Sequence, residues 1–488
     1  MTNLSSSEPN NQTKTLCLYF QLHQPIRLNL PDLANSETYL QTSFLISNSK
    51  DLVKFTVGPS GDNPNFLYGN STIFEKVARS SYIPGLRFWL AQLGQFPKLK
   101  ITFGLSGTFL EQVQRSESGQ EIIFLLKSLI ATERVEILAE TYYHSLASLF
   151  DEEEFIRQIK LHTETLQKLL NYTPSNFRNT ELIFNPQIGK IIQKLGYRVQ
   201  IATRPKIVNS EILGNKKIPA LAVLEKADFD STLKLALANF EATMFFFFTH
   251  RSDEFKEFFL NYPERLEVLG TDFEIFGEHN GGHIFDIWTD LLQTIQAKWD
   301  FATVSDLAEF EKKLAPNQKA TEIDQSNLAN QNSTDQFSPK VPVYQELFPN
   351  LTTSWTNSQQ SLISWLGNDN QDQAFGKLQE IYQKIKNKIP KPQNELQADL
   401  ETTLETQLKN QNVDNILLEK ELVKELEYQQ IWDFFGKLTT SDNFYYMSDL
   451  DGADGPLHAM FNAYPSPQIA FETFWQILLA FETFLDNF

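Results

Sequence analysis

Two stretches of the chain place carboxylates where chemistry could use them. The first is Arg178-Asn179-Thr180-Glu181-Leu182-Ile183-Phe184-Asn185. It sets Glu181 between an apolar, strand-like run and a helix expected to start near Pro186. Arg178, Asn179 and Asn185 flank the carboxylate and could hold it ionised by hydrogen bonding. The alternative is a helix-capping or salt-bridged Glu with no chemical role. The second stretch is Thr271-Asp272-Phe273-Glu274-Ile275-Phe276-Gly277-Glu278-His279. Here three carboxylates and one histidine follow an apolar run. In an extended chain Asp272 and Glu274 share one face. Like charges that close raise one pKa, which is the condition a general acid needs. A solvated acidic loop is the rival reading, and the interleaved Phe273, Ile275 and Phe276 argue against it.

Two carboxylates from distant strands point to glycoside hydrolysis. A retaining enzyme holds them about 5–5.5 Å apart and an inverting one holds them wider. Other chemistries find less support. His279 and His283 are four residues apart, but Gly277, Gly281 and Gly282 oppose a helix presenting both, and no HExxH pattern occurs. His23, His144 and Asp272 could form a metal set, although isolated histidines more often serve as hydrogen-bonding groups. No GxSxG elbow and no glycine-rich phosphate loop is present.

The elements that must position these residues alternate between strand and helix. Short apolar runs at Leu16–Leu22, Leu99–Leu105, Val135–Leu138, Asn176–Thr180, Val199–Ala202, Leu266–Gly270 and Phe301–Val304 read as strands. Amphipathic stretches such as Asp151–Leu170 and Pro186–Leu195 read as helices, the latter stopped by Gly196. Alternation predicts parallel βα units, and about seven of them close a barrel. An open doubly wound sheet is the competing arrangement. Several strands run straight into polar clusters: Gln21-Leu22-His23-Gln24-Pro25, Glu140-Thr141-Tyr142-Tyr143-His144, Glu181, and Asp272-Phe273-Glu274. Barrel enzymes carry their chemistry at such carboxyl ends.

The predicted organisation has four parts. Residues 1–14 form a polar, disordered leader, 15–314 the α/β barrel, and 315–345 a polar linker or loop rich in Asn, Gln, Ser and Thr. Residues 346–488 form a helical domain that completes the cleft, with helices expected at Trp355–Leu366, Gln371–Lys388, Asn394–Leu408, Val413–Leu438 and Pro465–Leu485. The 488 residues are 41% hydrophobic and 13% aromatic, enough for a large core. A net charge of −19 disfavours nucleic acid and anionic membrane as partners. The single cysteine, Cys17, permits no intrachain disulfide and fits a reducing cytoplasm. The first residues lack the apolar stretch of a signal peptide.

Five ordered motifs resemble glycoside hydrolase family 57, and within it the alpha-amylase-like members. They are Phe20-Gln21-Leu22-His23-Gln24-Pro25, Val135 to His144, Phe177-Arg178-Asn179-Thr180-Glu181-Leu182, Asp272 to His279, and Leu438 to Met447. Thr249-His250-Arg251-Ser252-Asp253 resembles the amylase-type members. The resemblance implies a (β/α)7 barrel followed by a C-terminal helical domain, with Glu181 as nucleophile and Asp272 as acid/base. It implies substrate contacts from His23, His144, Glu274 and Asp442, to which Glu140, Tyr445 and Tyr446 are added here. It implies no metal or organic cofactor, and an α-glucan or maltooligosaccharide as substrate. Hydrolysis would make the protein an alpha-amylase. Transfer to a sugar would make it a 4-alpha-glucanotransferase or branching enzyme. A non-catalytic glucan-binding relative and a metal-dependent carbohydrate deacetylase are the rivals from other classes. Two departures concern subsites: Gln21 stands where many members carry histidine, and Asn280-Gly281-Gly282 follows Glu278-His279.

Overall fold

The computed structural model describes residues 13–28, 70–206, 220–225, 232–248, 251–262, 265–278, 281–310, 343–348, 350–392, 416–450 and 462–488. Nearly all of the predicted leader and polar linker, the helix expected at 394–408, and residues 249, 250, 279 and 280 lie outside this set. The strands are β1 (Lys14–Leu22), β2 (Ile101–Leu105), β3 (Val135–Leu138), β4 (Phe177–Arg178), β5 (Val199–Thr203), β6 (Leu221–Val223), β7 (Lys234–Ala238), β8 (Leu266–Asp272) and β9 (Trp299–Ala302).

β1 lies between β2 and β8, and β3 lies outside β2, all parallel. A second parallel set runs β4, β5, β7. Two seams join them. The Ala139 N–H donates to the Asn176 carbonyl and the Arg178 N–H to the Ala139 carbonyl, both at 2.9 Å, which sews β3 to β4. The Asn239 N–H donates to the Val268 carbonyl at 3.0 Å, sewing β7 to β8. Seven parallel strands in the order β1-β2-β3-β4-β5-β7-β8 therefore close on themselves, as the (β/α)7 expectation requires. β9 pairs with residues Lys14–Cys17 of β1, below the stretch that β2 uses. β6 runs antiparallel to β7.

Strand periodicity sorts the side chains. On β1, Leu16, Leu18, Phe20 and Leu22 pack outward against helices Ile83–Gln95, Gly119–Ile130 and His283–Ile295. Cys17 and Tyr19 pack inward with Val268 of the neighbouring β8 and with Val199 and Ile201 of β5 across the barrel. Continuing that alternation sends Gln21 and His23 inward at the carboxyl end. Tyr19 fits because its partner on β8 is Gly270 and because Gly104, the β2 partner of Gln21, leaves room for its hydroxyl. A Cβ on Gly104 would lie 2.6 Å from the Tyr19 hydroxyl, and one on Gly270 would lie 3.0 Å from its ring.

From residue 343 onward the regular elements of the described residues are helical: Tyr344–Leu347, Asp369–Lys388, Ile416–Leu438, Ser441–Tyr445 and Pro467–Asn487. One apolar cluster holds Ala139, Phe177, Ala202 and Leu235 of the barrel together with Leu378, Phe435 and Phe474 of these helices. The helix expected over Trp355–Leu366 does not form. The Ser354 hydroxyl accepts from the Thr356 N–H, and Asn357 Oδ1 accepts from Gln359 and Ser361 N–H groups. Short polar side chains there satisfy the backbone locally and outcompete the helical ladder.

Candidate active site

The inward ladders of β1, β3, β4 and β8 meet at the carboxyl end of the barrel. Glu181 sits in a tight turn after β4, because Asn185 stops the turn and starts the next helix by accepting from the Ile188 N–H at 2.9 Å. The turn is strained: Glu181 and Leu182 both have φ of +51°, as does His144. Left-handed backbone at non-glycine residues costs on the order of 1–3 kcal/mol each and persists where surrounding structure enforces it.

What enforces it here is a set of hydrogen bonds. His144 Nε2 donates to Glu181 Oε1 at 2.7 Å, and Trp355 Nε1 and Thr356 Oγ1 donate to Oε2 at 2.8 and 3.2 Å. His144 Nδ1 faces Glu140 Oε2 at 3.2 Å, which also accepts from Arg178 Nη1 at 3.1 Å. Gln21 Nε2 donates to the other oxygen of Glu140 at 3.0 Å. Thus Gln21, the departure noted in the first motif, holds the carboxylate that backs His144. Burial and the Arg178 charge, whose Nη1 lies 3.1 Å from His144 Nδ1, act to lower the His144 pKa, but the bonds to Glu140 and Glu181 outweigh them and raise it to about 9, which favours the imidazolium. Burial alone would raise the two carboxylates. The Arg178 charge and the His144 bond bring Glu140 down to about 2, and His144, Arg178 and Trp355 bring Glu181 down to about 2.

His23 stacks on His144 with centroids 3.8 Å apart. Its pKa is lowered by burial and by the His144 charge. A neutral His23 donating from Nε2 to Asp442 at 2.9 Å leaves Nδ1 to accept from the Ser106 hydroxyl at 2.8 Å.

The β8 side differs. Asp272 ends the inward ladder Val268, Gly270, Asp272. Among the described residues nothing hydrogen-bonds its carboxyl. Burial and the Glu181 charge push its pKa up to about 7, against the opposing charges of Arg178 and His144. Phe273–Ile275 is a 3₁₀ turn, so the extended-chain argument that put Asp272 and Glu274 on one face does not apply. Glu274 instead bonds the buried Tyr82 hydroxyl, and burial with the Asp272 charge raises its pKa to about 8.

The sequence model described as glycosyl hydrolase family 57 matches residues 17–320, well over half of the chain. The chain belongs to glycosyl hydrolase family 57. It is therefore a glycoside hydrolase, and its barrel is the one this family has. A Methanocaldococcus jannaschii protein named "Putative alpha-amylase" is 26% identical over 483 residues, covering 96% of this chain and 84% of that one. The crystal structure of the family 57 branching enzyme of Thermococcus kodakaraensis superposes with a TM-score of 0.53 at 12% identity, covering 92% of this chain and 88% of that one. The branching enzyme of Pyrococcus horikoshii gives 0.51 at 12% identity, with 96% coverage of both. These likenesses support the fold alone.

Of the residues singled out in the family 57 motifs, Glu140, His144 and Glu181 share one hydrogen-bonded set and His23 and Asp442 another, the His23–His144 ring stack joins the two, and Asp272 feels the first through charge. Glu274 is buried with Tyr82 beside it. Tyr445 is half-buried, close enough to Glu181, Asp442 and Asp272 to feel their charges. Tyr446 is 2% exposed and packs edge-on against Tyr464, with Arg27 and Asp442 close enough to act on its hydroxyl. Two of the predicted partners of Glu181 lie elsewhere. Asn179 donates to Ser148 and to the Ile183 carbonyl, and Asn185 caps its helix. Arg178 acts on Glu181 through charge. Trp355, Thr356, Ser106 and Tyr82 were missed. The one available signal was Thr352-Thr353-Ser354-Trp355-Thr356-Asn357, too rich in Ser, Thr and Asn to begin a helix willingly. Among the described residues no three His, Cys, Asp or Glu side chains converge as a metal set, and no helix is long and apolar enough to cross a membrane.

Proposed function

We propose that this family 57 enzyme cleaves α-1,4-glucans with retention, in the manner of an alpha-amylase, through a glycosyl-enzyme formed on Glu181 with Asp272 as acid/base. The observation that carries the reading is the opposed ionisation of the two carboxyls. Glu181 is kept anionic by three donors, whereas Asp272, buried, facing that anion and with no donor among the described residues, keeps a proton near neutral pH. In the first step Glu181 attacks the anomeric carbon as the Asp272 proton passes to the leaving glycosidic oxygen. In the second, Asp272 takes a proton from the incoming hydroxyl, whose oxygen displaces Glu181. The His144 cation stabilises Glu181 before and after, and Glu140 with Arg178 and Gln21 fixes the His144 ring. His23, Asp442, Glu274 and Tyr445 border the same space and are assigned to sugar contact.

The division into a barrel of residues 15–314 and a helical unit of 346–488 that completes the cleft is part of the proposal. It is supported by Trp355 and Asp442 reaching Glu181 and His23. A cytoplasmic setting fits the unpaired Cys17.

The test uses α-maltosyl fluoride with azide as external nucleophile. Glu181→Ala should yield the β-glycosyl azide and Asp272→Ala the α-glycosyl azide, because azide replaces the enzyme nucleophile in one case and the incoming hydroxyl in the other. The same anomer from both variants, or full activity in either on maltoheptaose without azide, overturns the assignment. Product sizes from maltoheptaose then separate hydrolysis from transfer: only shorter sugars mean water is the acceptor, and sugars longer than the substrate mean another glucan is.

A further inference from the structure

Glu181 is gripped from a side that the active-site motifs do not contain. Residues 352–357 lie as a strap across the turn after β4. Phe184 and Thr353 exchange both backbone hydrogen bonds at 2.9 Å, and the Trp355 N–H reaches the Glu181 carbonyl at 3.2 Å. The strap is itself pinned. Asn357 Nδ2 donates to the Ser361 carbonyl at 2.8 Å and to Ser364 at 3.0 Å. Gln360 Nε2 donates to Thr203 at 3.2 Å and to the Arg204 carbonyl at 2.9 Å, at the end of β5. From this frame Trp355 Nε1 and Thr356 Oγ1 donate to Glu181 Oε2. The Trp355 side chain is 9% exposed, and its ring lies against Tyr19 and against Gly270, where a Cβ would come within 3.0 Å of the indole. Gly270 is the inward-facing residue directly before Asp272 on β8. One indole therefore touches both the Glu181 carboxylate and the strand that presents Asp272.

We propose that Trp355, assisted by Thr356, is a positioning residue for glycosyl transfer to Glu181, fixing the direction in which that carboxylate meets the anomeric carbon. The proposal rests on the reading of Glu181 as nucleophile. An ionised carboxylate is acceptor-only, with about four lone-pair sites over its two oxygens. His144 occupies one oxygen and the strap the other, so the group cannot turn about its last torsion without breaking a charge-assisted bond. The two sets of donors do different work. His144 brings charge, whereas the indole N–H is neutral and brings direction. Direction matters because misplacing a reacting group by about 1 Å costs roughly 100-fold in rate.

The experiment uses the full chain and three variants. Trp355→Phe keeps an aromatic ring and removes the N–H. Trp355→His keeps a ring N–H. Thr356→Val removes only the second donor. A 5-fluoroglycosyl fluoride that traps the glycosyl-enzyme reports the glycosylation rate, and peptide mapping reports where the sugar sits. In Trp355→Phe, trapping and kcat on α-maltosyl fluoride should fall about 10- to 100-fold, the loss expected for one hydrogen bond to a charged group, with KM within about 3-fold of wild type. Thr356→Val should lose less, and Trp355→His should recover part of the loss. The acid limb of kcat/KM should move upward in Trp355→Phe. The other groups facing Glu181 all remain: His144 after β3, Arg178 on β4, Asp272 on β8, Tyr19 on β1, and Asp442 and Tyr445 from the helical region. Wild-type trapping with an unmoved acid limb overturns the proposal. So does a rise in KM at unchanged kcat, which would make Trp355 a sugar-stacking surface. A sugar mapped to a residue other than Glu181 overturns the nucleophile reading and this inference with it, whereas normal trapping on Glu181 in Trp355→Phe overturns this inference alone. Should Trp355→Phe not fold, as judged by its melting curve, Thr356→Val carries the same comparison.

Discussion

The two sides of the barrel mouth treat the same kind of side chain in opposite ways. On the β3–β4 side, Glu140 and Glu181 sit among Gln21, His144, Arg178, Trp355 and Thr356, and both are held down to about 2. On the β8 side, Asp272 and Glu274 are raised to about 7 and about 8. Burial acts on all four in the same direction, so burial is not what separates them. The difference lies in the donors and cations that neighbouring strands and the strap supply, together with the anion that Asp272 is made to face. An enzyme that needs one carboxylate charged and its partner protonated at a single pH can obtain both from one fold by concentrating its donors on one wall.

The largest effects should come from removing one carboxyl on each wall, and they should differ in kind. Glu181→Ala should lower kcat by about 10⁴-fold or more whatever the leaving group. Asp272→Ala should lower it by about 10²- to 10⁴-fold on maltoheptaose, and far less on α-maltosyl fluoride, since fluoride departs without a proton. Steady-state rates on both substrates measure this. An equal loss on the two substrates for Asp272→Ala would mean the walls do not divide the labour as described.

Next in size is the cation of the donor-rich wall. His144→Gln should cost about 10²-fold in kcat, the scale of losing one electrostatic stabiliser, and should raise the acid limb of the pH profile. Its stability signature has a definite sign. The folded pKa of His144 is raised to about 9 from an ordinary 6.5, so the ring binds its proton more tightly in the folded state. That stabilisation is complete below about pH 6.5 and fades as pH rises through 9. Thermal unfolding followed over pH 6–10 should show a decline in wild type that His144→Gln lacks, and parallel curves would break the assignment of His144 as a cation.

The opposite wall should give the opposite slope test. Asp272 is raised to about 7 from 3.8, so the folded state holds a proton that the unfolded chain releases, and stability falls as pH rises from about 4 to 7. Asp272→Asn removes that penalty. It should match wild type at pH 3.5 and exceed it by on the order of 2 kcal/mol at pH 8, discounted for the part of the side chain that meets solvent. Urea melts at the two pH values decide it. A variant no more stable than wild type at pH 8 would mean that burial and the Glu181 charge do not raise Asp272 as described.

What the sequence made legible follows the range of the forces involved. Strand alternation is local, and it placed Glu181, Asp272, His23 and His144 at carboxyl ends without any contact information. The bond from His144 to Glu181 joins two strand ends, and each lay in a recognisable motif. The donor from Trp355 was illegible because it crosses 174 positions from a segment whose apolar spacing imitates a helix. Only tertiary contacts, Thr353 to Phe184 and Gln360 to the end of β5, decide that this segment is a strap. The different burial of Tyr445 and Tyr446 was illegible for the complementary reason. Two adjacent tyrosines look alike in a motif, but in the short helix Ser441–Tyr445 and the turn after it the first is half-buried and the second fully buried against Tyr464. The partners assigned to Glu181 by proximity in sequence, Asn179 and Asn185, were claimed by the backbone instead, as short amides at a turn and a helix cap commonly are.

The smallest predicted effect probes the contact that ties the walls together. Gly270→Ala would put a methyl 3.0 Å from the Trp355 ring and 3.0 Å from the Tyr19 ring, so both must yield by a few tenths of an ångström. The stability cost should be about 1 kcal/mol, at the low end for an overpacked site, because one of the two neighbours borders the open mouth. The catalytic cost should be larger in proportion, about 3- to 10-fold in kcat with KM unchanged, because a displaced indole turns the Glu181 carboxylate it holds. The double variant Gly270→Ala/Trp355→Phe should then be no slower than Trp355→Phe alone, since the methyl acts through an N–H that is already gone. Additive losses would place the effect of residue 270 on Asp272 directly, and the two walls would be independent across the mouth rather than braced by one side chain.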